Sequence, residues 1–68
     1  MTTGQLIRTR RKRRKMDLFD LASACGIAVS TLSRYENDRL DPQTLMLGRI
    51  AAALGCGVRD LVPPRVRP

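Results

Sequence analysis

Two groups of residues in this chain have the types and spacing to do chemistry. The first is a cationic run. Arg8, Arg10, Arg11, Lys12, Arg13, Arg14 and Lys15 fill seven of eight positions, and the first acidic residue is Asp17. Like charges so close repel, and no acidic residue lies within the same stretch to offset them, so an external polyanion such as phosphate is the natural counter-charge. The second is a stripe of short polar side chains, Ser30, Ser33, Arg34 and Asn37, at i, i+3, i+4 and i+7. That is the spacing of one helix face. An ordinary solvent face mixes Glu with Lys. This one offers hydroxyl, guanidinium and amide groups, which can hydrogen-bond base edges and phosphates in the major groove.

Other chemistries lack their parts. There is no histidine, and Cys25 and Cys56 stand 31 positions apart with no Cys-x-x-Cys pair, too few ligands for a zinc site. Reduced thiols in a cytoplasmic protein are expected. No nucleophile–base pair, clustered carboxylates or phosphate-cradling glycine loop is present, so neither an enzyme nor a cofactor-dependent protein is expected. One Tyr and one Phe are too few for the stacking platforms of single-strand RNA readers. The longest wholly apolar run, Ile50–Leu54, cannot span a bilayer, and Asp17 and Asp20 interrupt the stretch that a secretory signal would need.

The elements that must position these groups are helical. Sixty-eight residues make one small domain, and 43% hydrophobic content excludes a disordered basic tail. The net charge is +7. Seven of the thirteen basic residues fall in the first fifteen positions, leaving six against six acids in the remainder. Leu18, Leu21, Ala22 and Cys25 repeat at i, i+3, i+4, i+7, as do Leu47, Ile50, Ala51 and Leu54. No strand alternation competes. The spacing predicts an all-α domain over 1–62, with a short tail at 63–68.

Five helices are expected. The first spans about 4–15. The second begins at Asp17, an N-cap with Asp20 in the capping-box position and Met16 and Leu21 as a hydrophobic staple, and ends at Gly26. The third covers about 28–36, with Ala28, Leu32 and Tyr35 facing inward. Asp41-Pro42 are expected to open the fourth, closed by Gly55. The fifth is expected over 58–62, before Pro63-Pro64. Helices two and three, joined by a turn at Gly26-Ile27, have helix-turn-helix spacing. Ala22 permits a close crossing, and Gly26 can take positive φ. Leu21, Ala22, Gly26, Leu32 and Tyr35 are its structural residues.

From about Leu6 to Leu61 the chain resembles the helix-turn-helix family of phage lambda repressor and Cro. The resemblance is carried by Ile7, Arg8, Arg11, Leu21-Ala22, Gly26-Ile27, Leu32-Ser33-Arg34-Tyr35-Glu36, Arg39, Pro42, Leu47, Ala51, Leu54-Gly55 and Leu61. It implies a compact five-helix domain that binds double-stranded DNA with its third helix in the major groove. It further implies a sequence-specific regulator, usually a repressor, acting as a homodimer on a palindromic operator. Base-reading positions then fall on Val29, Ser30, Ser33 and Arg34. Arg34 suits guanine and Val29 a thymine methyl. Asn37 and Arg39 match phosphate-contacting positions, as does the N-terminus of the second helix. Arg11 and Glu36 match a structural ion pair, and Arg10 and Arg14 from the basic run are further phosphate candidates.

Three positions depart from the family. Leu18 stands where glutamine is common, and a place at the core margin is expected for it. Ala28 replaces a capping Ser or Thr, and Asp38 replaces a glycine. Leu40, Met46, Val62 and Phe19 fall outside the core stripes, with Leu40 and Val62 near the region where family dimers meet. An antitoxin or accessory module that binds a protein with the same fold is the rival expectation.

Overall fold

The computed structural model describes residues 1–64. Its elements are α1 (Thr3–Arg13), α2 (Leu18–Cys25), α3 (Val29–Glu36), α4 (Thr44–Leu54) and a single 3-10 turn (Val58–Leu61). No strand occurs among the described residues. Of the expected tail, residues 65–68 lie outside them.

Each helix has a local reason to begin and end where it does. Thr2 caps α1, its hydroxyl accepting from the Gln5 N–H while the Gln5 side chain accepts from the Thr2 N–H. The helix stops before Lys15, not at it. Lys15 takes the left-handed conformation (φ 55°), and the Met16 N–H turns back to the Arg11 carbonyl. Asp17 and Asp20 cap α2 reciprocally at 2.7 and 3.1 Å. Gly26 (φ 71°) and Gly55 (φ 70°) end α2 and α4 in the same way. The next N–H, from Ile27 or Cys56, reaches back to the carbonyl of Ala22 or Ala51.

Three expectations need correction. The fifth element is one 3-10 turn and not an α-helix. Val62 precedes Pro63, which disfavours the helical region, and is extended (φ −109°, ψ 125°). Asp41-Pro42 do not open α4. Asp41 is under the same pre-proline restriction, and Gln43 is the N-cap, supplying the carbonyl that receives the Leu47 N–H. Ala28 is exposed and outside the inward stripe, because as the extended N-cap of α3 (ψ 147°) it does not share the helix's phase. The inward residues of α3 are Leu32, Tyr35 and Glu36.

The core draws on every element. Ile7, Leu21, Leu32, Ile50 and Leu61 are fully buried, joined by Ala22, Cys25, Tyr35, Leu47, Ala51 and Leu54. Ala22 is buried in this core. Leu18 packs half-buried at the margin, and so does Met46, contrary to its expected place outside the core. α2 packs on both α3 and α4. α1 packs against α3 with one side and against the 3-10 turn and α4 with the other.

Candidate nucleic-acid interface

Glu36, the last residue of α3, faces inward, and Arg11 reaches it from α1. Arg11 Nε donates to Glu36 Oε2 at 2.7 Å, Nη2 donates to Oε1 at 3.1 Å, and Nη1 donates to the Met16 carbonyl at 2.9 Å. Both side chains are buried. Hydrogen bonding to Glu36 drives the guanidinium above its ordinary pKa, against the opposing effect of burial. This bidentate pair locks α1 to the C-terminal end of α3.

With its inner side fixed, α3 presents the opposite face to solvent. Ser30, Ser33, Arg34, Asn37 and Arg39 line one open groove. Val29 is exposed at the α3 N-terminus, one turn before Ser33. Arg34 and Arg39 form no ion pair among the described residues, so both guanidinium groups are available. Asn37 is differently engaged. Its amide donates to the Ser33 carbonyl (2.8 Å) and Ser33 Oγ (3.3 Å), finishing the helix and orienting the serine.

The structure separates Arg10 and Arg14 from this groove. Arg10 lies 3.7 Å from Asp60 in the 3-10 turn. The Arg14 guanidinium covers the C-terminal turn of α4, 3.0 Å from where a Cβ on Gly55 would stand. α4 has no basic residue in its own last turn. Arg14 thus supplies from α1 the cation that a helix C-terminus favours. The α2 N-terminus does not offer a bare anion site either, since Asp17 and Asp20 already put two carboxylates there.

Sequence reasoning missed a contact beside the groove. Asp38, exposed and with left-handed φ of 59°, has its carboxylate engaged by α1. Its carboxylate accepts from the Thr2 hydroxyl at 2.7 Å and the Gly4 N–H at 3.3 Å. Gly4 is required there, because a Cβ would stand 2.8 Å from the Glu36 carbonyl oxygen and 2.7 Å from Asp38 Oδ1. The available signal was Thr2 with Gln5, a capping box that fixes where α1 starts; Asp38, 36 residues from Thr2, has no local sequence mark.

A fixed α2–α3 pair joined through a left-handed Gly26, with a polar outer face on α3, is helix-turn-helix geometry. The helix-turn-helix family model matches residues 7–61. The chain belongs to the helix-turn-helix family. This helix-turn-helix domain is 39% identical over 62 residues to the immunity repressor protein of Bacillus phage phi105, covering 91% of this chain and 43% of that protein. It is 41% identical over 62 residues to the (S)-2-hydroxypropylphosphonic acid epoxidase of Streptomyces wedmorensis, covering 90% of this chain and 31% of the enzyme. A solved structure of that epoxidase superposes with a TM-score of 0.83 at 36% identity, over 91% of this chain and 33% of the other. The crystal structure of the P22 c2 repressor in complex with a synthetic operator gives 0.86 at 27% identity, covering 91% of this chain and 94% of that one. The chain spans less than half the length of the phage repressor and about a third of the epoxidase.

Proposed function

We propose that this domain is a sequence-specific, double-stranded DNA-binding unit of a transcriptional repressor, with α3 in the major groove of a palindromic operator. The observation that carries this reading is the α3 groove. It combines two arginines that form no ion pair among the described residues, two serines and an oriented amide on a helix held from behind by the Arg11–Glu36 pair. In this arrangement Val29, Ser30, Ser33 and Arg34 meet base edges, while Arg39 and the end of α3 at Asn37 meet the backbone. The P22 c2 repressor, similar over nearly the whole of this chain, is solved on an operator. The domain acts in the cytoplasm and has no catalytic role of its own.

A homodimer fits a palindrome, with two copies of α3 about 34 Å apart. Leu40 and Val62 are exposed, and they are the apolar residues we assign to that contact. The epoxidase relative favours a second reading, in which the same domain is an appended module of a longer chain. Selection of bound duplexes from a random pool at physiological salt tests the first. A shared motif with half-sites about 10–10.5 bp apart supports it. No enrichment, with binding that vanishes steeply as salt rises, would leave only a basic surface and turn attention to a protein partner.

A further inference from the structure

The cationic run on α1 is not one surface. At about 3.6 residues per turn, Gly4, Ile7 and Arg11 form the buried line of the helix, and four of the other cations flank it, two on either side. On one side, Arg10 approaches Asp60 and Arg14 lies over the α4 C-terminus. Arg10 thus has a carboxylate partner within the molecule, and Arg14 faces the carbonyl end of a helix. On the other side stand Arg8 and Lys12, one turn apart and both exposed, with no ion pair among the described residues. Their side of α1 is the one next to α3. Gly4 and Arg11, which Arg8 and Lys12 flank, are the residues that meet Tyr35, Glu36 and Asp38. The loop carrying Asp38 continues into Arg39, which lines the α3 groove.

We infer that Arg8 and Lys12 extend the DNA-binding surface along α1 and grip the phosphate backbone beside the α3 groove, whereas Arg10 and Arg14 serve the fold. This rests on the DNA-binding reading above. Three observations carry it. Arg8 and Lys12 have no ion partner among the described residues, they flank the side of α1 that meets the end of α3, and the α2 N-terminus already has two carboxylates. The occupant is the same duplex that α3 reads, because the two surfaces meet along the α1–α3 contact. The contacts carry no base information and contribute affinity through counterion release.

Two charge-matched double variants test this on the full chain with a selected duplex. R8Q/K12Q is expected to shallow the slope of log K against log salt by about 1.8, at about 0.9 per phosphate. Its base preference and melting temperature should remain those of wild type. R10Q/R14Q, which removes the same charge, is expected to keep the wild-type slope and to melt at a lower temperature. A wild-type slope in R8Q/K12Q, or equal slope losses in both variants, would overturn the assignment while leaving the α3 reading intact. The first of these would leave Arg8 and Lys12 to an acidic protein surface. Wild-type protein that retains no duplex would instead remove the DNA-binding reading, and this inference with it.

Discussion

Arg34 and Glu36 stand two residues apart on α3 and face opposite ways, so their substitution should fail differently. In the proposed complex Arg34 donates to a base edge. Arg34→Ala is expected to cost about 1–3 kcal/mol of cognate affinity and to relax preference at one base pair. Binding titrations on cognate and random duplexes check this, and equal losses on both would remove its base-reading role. Glu36→Ala leaves the Arg11 guanidinium buried without its carboxylate. It should destabilise the domain by about 3–5 kcal/mol, read in urea unfolding; an unchanged midpoint would contradict a structural role. Arg34 was legible in the sequence as part of an outer polar stripe, and Glu36 through the family resemblance that pairs it with Arg11. Asp38 was not, because a charge beside a binding surface says nothing of a helix N-terminus that folding brings to it.

At the scale of the element, sequence signals were good where they were local. The Asp17–Asp20 box and the two glycine stops lie within one turn of the bonds they make, and the observed helices respect them. Legibility failed where proline acts on its neighbour. Asp41-Pro42 looks like a helix start, and Val62 like helix, yet Val62 is extended and Asp41 lies outside α4, since a following proline disfavours the helical region. The division of the basic run was also hidden, since composition counts seven charges and only packing shows which have partners. α3 keeps one defect that sequence and structure agree on: its N-cap, Ala28, makes no side-chain hydrogen bond. Ala28→Ser should therefore stabilise the domain by about 0.5–2 kcal/mol. Thermal melts should record the gain, and a melting point at or below wild type would mean that the α3 N–H groups already have other partners.

The molecule as a whole is small enough for single ionisations to register in its stability. Burial pushes the Cys25 thiol up, against the pull of Arg49, and burial likewise raises Cys56, where Asp60 adds to it and Arg10 opposes. A thiol whose folded value exceeds its unfolded one adds stability that is complete below the ordinary thiol range and lost as pH rises through the folded value. Melting temperature should thus decline from about pH 8.5 upward, and less so in Cys25→Ala; parallel declines in both proteins would assign the effect to other groups. The Asp38 contact has a different reach. It ties the first turn of α1 to the loop that carries Arg39, so that end of the helix cannot fray without releasing the loop. Opening of the two is one event, and whatever immobilises the loop must also slow opening at the chain's beginning. Hydrogen–deuterium exchange at the amides of Gly4, Gln5 and Leu6 is expected to slow when duplex binds, although none of the three touches it in the proposed complex. In Asp38→Ala that response should disappear, and its persistence would show that the two ends move independently.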